Sequence, residues 1–171
     1  ANSQMEEDGL SYSTLVEEYG LAFVLSKIRM SLYAPLYSHD RIIGESWACP
    51  SRGVTFLRCH RILRGDEIIA EAVSSWALVG VTDRKLHRVG EIAMPYGEDA
   101  PLELDSPSRL KIPSDIPLSL VGERTVEYAD IDSNGHMNNT RYMDWIDDLL
   151  PSDFHREHPV KEFAVRYHSE A

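Results

Sequence analysis

The sequence predicts an α+β fold in which a curved antiparallel sheet wraps around a helix. Three stretches, 41–48, 54–63 and 68–81, are rich in Val, Ile, Phe and Trp and are separated by glycine-containing turns, which is the pattern of an antiparallel meander. The last stretch runs for about fourteen residues, and a strand of that length suits a strongly curved sheet. A short helical pattern precedes the meander and supplies an element for the sheet to enclose.

The first half of the chain predicts one helix followed by strands. Residues 11–19 predict a short helix because Leu15 and Val16 lie near acidic residues, and Gly20 is a typical helix stop. From Leu21 the apolar residues alternate, which predicts a first strand before the meander. Five prolines between positions 94 and 117 interrupt any regular element, so we expect a linker or an extended crossing segment there.

The second half predicts a strand over 119–128, a loop over 132–138, a helix over 139–150 that Pro151 closes, and a strand over 160–168. The order of helix, loop and strand at 12–31 therefore recurs at 139–170, which indicates an internal duplication. The first copy begins inside its helix, and the second ends on the strand after its helix. We therefore expect that the chain lacks parts of both copies.

Composition narrows the class of protein. The net charge of -11 argues against nonspecific binding to nucleic acid or to an anionic lipid surface. No apolar run approaches the roughly twenty residues needed for a membrane span, and the N-terminal residues lack the pattern of a secretory signal. We expect a soluble cytoplasmic protein. Cys49 and Cys59 are too few for a disulfide framework, so each is expected to be a buried free thiol.

Charge is unevenly distributed along the chain. Residues 22–90 carry ten Lys and Arg against six Asp and Glu, a net of +4 within an acidic protein. Such a segment would attract an acidic partner, although solvated strand faces account for it equally.

The densest polar cluster lies immediately before the predicted helix that carries Trp145. Its members are Asp130, Asp132, Asn134, His136, Asn138 and Asn139. The spacing matches the first half of a calcium-binding EF-hand loop, but position twelve holds Arg141 instead of Glu. His136 stands alone, which argues against zinc, and neither cysteine lies in a nucleophile context. Helix capping explains Asn138 and Asn139. A catalytic or ligand-binding role and a purely structural one both remain open for the rest.

The stretch DIDSNGHMNNTRYMDWIDD resembles the DxNxHxNNxxYxxW signature of the acyl-acyl carrier protein thioesterases. GLAFVLSKIRMSL, SSWALVGVTDRK and the proline-rich connector also resemble the first domain and linker of that family. The resemblance implies a tandem hotdog fold, in which each curved antiparallel sheet wraps around a long helix. It implies a first hotdog domain at 1–94 without its N-terminal strand, a linker at 95–118, and the start of a second hotdog domain at 119–171.

The resemblance also implies an activity, the hydrolysis of fatty acyl-acyl carrier protein to free fatty acid by acid- and base-assisted attack of water, with no cofactor and no metal. Asp132, Asn134 and His136 match the catalytic Asp, Asn and His of the family, and HSEA implies that Glu170 is the catalytic glutamate. Many members carry Cys directly after that glutamate. Ala171 stands here, which favours acid–base chemistry over a thiol nucleophile. Which carboxylate acts as the general base stays open.

The family further implies an acyl slot in the first hotdog domain and a basic docking surface for a carrier protein that bears a phosphopantetheine-linked acyl chain. The candidate slot residues are Leu15, Phe23, Leu25, Trp47, Phe56 and Trp76. The candidate docking residues are Arg58, Arg61, Arg64, Arg84, Lys85 and Arg88. A homodimer is compatible with the sequence. The alternatives are a hotdog thioesterase acting on acyl-coenzyme A and a noncatalytic acyl-binding module.

Overall fold

The computed structural model describes residues 11–92, 99–105, 113–132 and 135–168. The chain divides into two compact units. The first comprises Ala1–Ser108 and Lys161–Tyr167, and the second comprises Arg109–Val160 and His168–Ala171. The domain boundaries predicted from the sequence stay a prediction.

The first unit is a six-stranded antiparallel sheet preceded by a short helix. Its elements are α1 Tyr12–Tyr19, β1 Leu21–Leu32, β2 Ile43–Arg52, β3 Thr55–Arg64, β4 Glu67–Gly80, β5 Leu86–His87 and β6 Glu162–Arg166. The strand order is β2-β3-β4-β1-β6, and β5 pairs with β4. The predicted meander is confirmed, and β4 has fourteen residues. The predicted strand over 160–168 is also present, as an edge strand beside β1.

Helix α1 begins and ends where the sequence predicts. The Ser11 side chain accepts the Thr14 N–H at 3.1 Å, which satisfies one of the free donors of the first turn. Gly20 ends the helix with φ of 65°, a left-handed conformation that glycine adopts without steric cost. The helix therefore has only eight residues. Within the described ranges no helix is longer, so the long helix implied by the resemblance is not seen there.

The pleat of the sheet separates two apolar clusters, because neighbouring residues on a strand point to opposite faces. The first cluster lies on what we call the Phe56 face; its buried members are Leu21, Phe56 and Leu78, and Phe23, Trp76, Val89 and Ile92 pack against them. The second lies on the Cys49 face; its buried members are Cys49, Cys59 and Val73, with Trp47, Leu57, Leu102 and Leu104 packed against them.

The second unit is built from short helices and extended chain. A 3-10 helix spans Tyr128–Asp130, and helices α2 and α3 span Arg141–Asp147 and Ser152–Glu157. The strand predicted over 119–128 is wrong: these residues precede and enter the 3-10 helix, and no described strand pairs with them. The apolar residues of 119–128 do alternate, but a strand also needs a neighbouring strand that pairs with its backbone N–H and C=O groups. The helix predicted over 139–150 is shorter than expected.

Across the described ranges, no helix is long and apolar enough to cross a membrane.

Candidate functional site

Asp132 and His136 lie at the two sides of a closed loop that leads into α2. Ile131 and Met137 form an antiparallel bridge at its neck. The Asp132 N–H donates to the His136 carbonyl oxygen at 2.9 Å, and the His136 N–H donates to the Asp132 carboxylate at 3.3 Å. Gly135 has φ of 79°, a left-handed conformation that glycine adopts without the strain of a side chain. Loop closure therefore holds the two candidate residues beside each other.

The loop is anchored on both sides. Met137 is buried, with 5% exposure. The Asn138 N–H donates to the Asp130 carbonyl oxygen at 2.8 Å, and the Asn138 side-chain oxygen accepts the Thr140 N–H at 3.0 Å. The Asp130 carboxylate accepts the Glu127 N–H at 3.0 Å. Asp130 and Asn138 thus form the turn, and this structural work explains them without a role in chemistry.

Of the four predicted catalytic residues, two lie in the described part of the chain. Asp132 is half-buried, and His136 is exposed to solvent. Asn134 and Glu170 lie outside the described residues, so the grouping of all four side chains stays a prediction. Sequence and structure together establish that Asp132 and His136 are held at one loop.

Metal binding finds no support in the described part of the chain. No three His, Cys, Asp or Glu side chains in these ranges lie close enough to hold a metal ion. At the twelfth position of the partial EF-hand pattern, the Arg141 side chain lies 3.6 Å from the Asp130 carboxylate and 2.9 Å from that of Asp144. A guanidinium therefore occupies the acidic environment that a cation would need.

The six candidate acyl-slot residues lie in different places. Phe23, Phe56 and Trp76 pack together on the Phe56 face, where the Phe23 and Phe56 rings meet edge to face at 5.2 Å. Leu25 is the direct partner of Trp76 and shares that face. Leu15 is buried on α1. Trp47 lies on the Cys49 face, so the six residues do not line a single surface of the sheet.

A polar network crosses the Phe56 face and was missed from the sequence. The Arg58 Nε–H donates to Ser46 Oγ at 2.8 Å, and Ser46 Oγ lies 3.0 Å from His60 Nδ1. His60 Nε2 lies 2.8 Å from Ser74 Oγ, which also accepts the Trp76 indole N–H at 2.8 Å. The pairing of β2, β3 and β4 places all five side chains on the Phe56 face. The sequence did contain a signal for this network: serine, arginine and histidine occur at alternating positions of the predicted strands.

One tautomer of His60 satisfies every contact of the network. In it the Ser74 hydroxyl donates to the Arg58 carbonyl oxygen at 3.2 Å, His60 Nε2 donates to Ser74 Oγ, and His60 Nδ1 accepts from Ser46 Oγ. Burial, and then the nearby positive charge of Arg58, lower the pKa of His60 to about 4. The imidazole is therefore neutral at physiological pH.

Three of the six candidate docking residues are either buried or paired with a carboxylate of the sheet unit. Arg58 is buried, with 7% exposure. Arg61 pairs with Glu71 at 2.7 Å, and Arg64 pairs with Asp40 at 2.7 Å. These carboxylates offset the charge that an acidic partner would meet.

Of the other three, Arg84 and Lys85 are exposed at the turn between β4 and β5, and Arg88 is exposed directly after β5. Lys85 pairs with the Asp83 carboxylate at 3.2 Å. The Asp83 carboxylate accepts the Lys85 N–H at 3.0 Å, and this hydrogen bond holds the pKa of Asp83 below its usual value. A Cβ at Gly80 would lie 2.1 Å from Asp83 Oδ1, so a larger residue at position 80 would displace the Asp83 carboxylate. The turn thus presents its basic residues from a defined backbone.

Comparison with known proteins gives a consistent result. Residues 116–171 match the family described as the acyl-ACP thioesterase C-terminal domain, where ACP is acyl carrier protein. Oleoyl-acyl carrier protein thioesterase 2 of Arabidopsis thaliana is 27% identical over 186 residues, covering 99% of this chain and 49% of the relative. A dodecanoyl-acyl-carrier-protein hydrolase of Cinnamomum camphora is 27% identical over 173 residues, covering 95% and 45%. The chain spans about half the length of these curated relatives.

Solved structures agree with the sequence relatives. The crystal structure of an acyl-ACP thioesterase from Bacteroides thetaiotaomicron has a TM-score of 0.84 and 28% identity, over 99% of this chain and 69% of that one. The 12:0-ACP thioesterase from Umbellularia californica has a TM-score of 0.78 at 18% identity, over 99% of this chain and 70% of that one, which supports the fold alone. The predicted hotdog fold is thereby confirmed.

Proposed function

We propose that this chain, which is similar to the acyl-acyl carrier protein thioesterases over residues 116–171, hydrolyses the thioester of a fatty acyl group carried on acyl carrier protein. The products are a free fatty acid and the carrier thiol. The observation that carries the proposal is the loop from Ile131 to Met137, whose backbone and carboxylate hydrogen bonds hold Asp132 beside His136. This loop lies within the segment that matches the family.

The proposed chemistry requires an activated water, a positioned carbonyl and a stabilised oxyanion. Glu170 takes a proton from the water as the water attacks the thioester carbon. Asp132 and Asn134 orient the water and the carbonyl, and His136 orients Glu170 or donates to the oxyanion. The carbon–sulfur bond then breaks, and the departing thiolate takes up a proton. The anchored Asp132 carboxylate supports this assignment, because orientation needs a side chain with a fixed position.

The direct test compares two carriers of the same acyl group. Release of free fatty acid is measured with acyl-acyl carrier protein and with acyl-coenzyme A, over several chain lengths. We expect kcat/KM to be about tenfold or more higher for the protein carrier, because only that carrier adds a protein surface that can dock beyond the phosphopantetheine arm. Equal or higher rates with coenzyme A would favour an acyl-coenzyme A thioesterase, and binding without acid release would favour a noncatalytic module.

We place carrier docking at the turn between β4 and β5 and the end of β5, where Arg84, Lys85 and Arg88 lie. Reversing these three charges to Glu is expected to raise KM for acyl-acyl carrier protein by about tenfold at low salt, with KM for acyl-coenzyme A little changed. The matched control is Arg41→Glu, since Arg41 is also exposed but precedes β2 at the opposite end of the sheet. An equal effect of the control, or no effect of salt, would remove this turn from docking.

A further inference from the structure

The two cysteines face each other across neighbouring strands. Cys49 on β2 pairs with Leu57, and Cys59 on β3 pairs with Trp47, so the cysteines are diagonal neighbours on the same face of the sheet. Their Sγ atoms are 2.6 Å apart, and each residue is 1% exposed. Both are free thiols, as expected from the sequence. Their contact was not expected.

We infer that Cys49 and Cys59 form a site of reversible disulfide exchange, at which a small-molecule disulfide oxidises the two thiols to an intrachain disulfide. The Sγ–Sγ separation is within about 0.6 Å of the length of a disulfide bond, so small side-chain rotations close it. The bond would tie β2 to β3 across their hairpin. The inference is independent of the proposed thioesterase activity.

The exchange proceeds in two displacements. One cysteine loses its proton, and its thiolate attacks a sulfur of the reagent, releasing the first reagent thiol. The second cysteine then loses its proton and attacks the cysteine sulfur of the mixed disulfide, releasing the second reagent thiol. The two cysteines are oxidised, the reagent disulfide is reduced, and the two protons end on the released thiols.

A short strap, residues 99–105, controls access to the pair. Its side chains Leu102 and Leu104 pack against the cysteine cluster. Two hydrogen bonds attach it to β2: the Asp99 N–H donates to the Ala48 carbonyl oxygen at 2.9 Å, and the Trp47 indole N–H donates to the Ala100 carbonyl oxygen at 3.1 Å. Exchange therefore needs local opening of this strap.

The same burial slows the first displacement. Burial, followed by the neighbouring Cys59 thiol, raises the pKa of Cys49 to about 12. Little thiolate exists at neutral pH until the strap opens and water reaches the sulfur.

The experiment uses the whole protein and oxidised glutathione. After incubation the protein is denatured in an alkylating reagent, and intact mass and peptide mapping report the state of both thiols. We expect a disulfide between Cys49 and Cys59, reversed by dithiothreitol, and a rise in Tm of about 5 to 10 °C. Two alkylated thiols after incubation, or only glutathione adducts and linked dimers, would overturn the inference.

Variants separate the pair from its cover. Cys49→Ser and Cys59→Ser should each abolish the rise in Tm produced by oxidised glutathione. Leu102→Ala combined with Leu104→Ala should accelerate disulfide formation by about tenfold or more, because the strap opens more readily. An unchanged rate would contradict control by the strap, whereas the mass measurement on the unaltered protein decides the disulfide itself.

Discussion

Replacing His136 with Gln or Asp132 with Asn is expected to lower kcat for acyl-carrier hydrolysis by about a hundredfold or more. Both substitutions keep the approximate shape of the side chain and remove the ionisable group. His136 is exposed, so its replacement removes little packing. An amide at position 132 retains an oxygen that accepts the His136 N–H, so the loop stays closed. The loss should therefore fall on turnover and leave Tm nearly unchanged. Steady-state release of free fatty acid measures kcat.

Controls from the same unit keep this result interpretable. Asp144→Asn removes an exposed carboxylate on α2 that pairs with Arg141 at 2.9 Å, and His158→Gln removes an exposed imidazole that contacts the Phe154 carbonyl oxygen. Both should leave kcat within about twofold, because both side chains are exposed and neither belongs to the loop between Ile131 and Met137. Glu170→Gln should match the loss seen at His136. Turnover near normal in the Asp132 and His136 variants would exclude the loop from the chemistry.

The parts of the fold that could be predicted are those fixed by neighbours in the sequence. The meander followed from alternating apolar residues and glycine turns, and α1 followed from Ser11 and Gly20, because caps and turns act within a few residues. The pairing of β6 with β1 joins Met30 to Phe163. No local pattern specifies which distant strand a segment will meet. For the same reason the sequence did not reveal that residues 119–128 pair with no strand in the described ranges.

The candidate site divides in the same way. The loop between Asp132 and His136 closes on itself around Gly135, so its motif was visible in the sequence. The contact between Cys49 and Cys59 depends on strand register, and a slip of one residue would move a side chain to the other face of the sheet. Strand register also explains why Arg58 is buried. From the sequence, Arg58 was a candidate for the basic docking surface, but the register places its side chain on the Phe56 face.

Replacing Ser74 with Ala is expected to lower the free energy of unfolding by about 2 to 3 kcal/mol, a large loss for the removal of one oxygen atom. Ser74 is 1% exposed. Its hydroxyl lies 2.8 Å from His60 Nε2, accepts from the Trp76 indole N–H at 2.8 Å and contacts the Arg58 carbonyl oxygen at 3.2 Å. Alanine leaves these three polar groups without this partner, and each such group costs about 1 to 3 kcal/mol. Urea unfolding with an unchanged m value measures the loss.

A double-mutant cycle tests whether this cost arises from the network. Trp76→Phe removes the indole N–H, so in the Ser74→Ala background it should cost less than in the unaltered protein, with a coupling of about 1 kcal/mol. Ser26→Ala on β1 is the matched control, and it should change stability by less than about 0.5 kcal/mol. Additive losses at Ser74 and Trp76, or a Ser74→Ala loss no greater than that of the control, would show that the hydroxyl does not hold these donors. Strong coupling would show that a polar network of β3 and β4 side chains stabilises the face on which Phe23 and Phe56 meet.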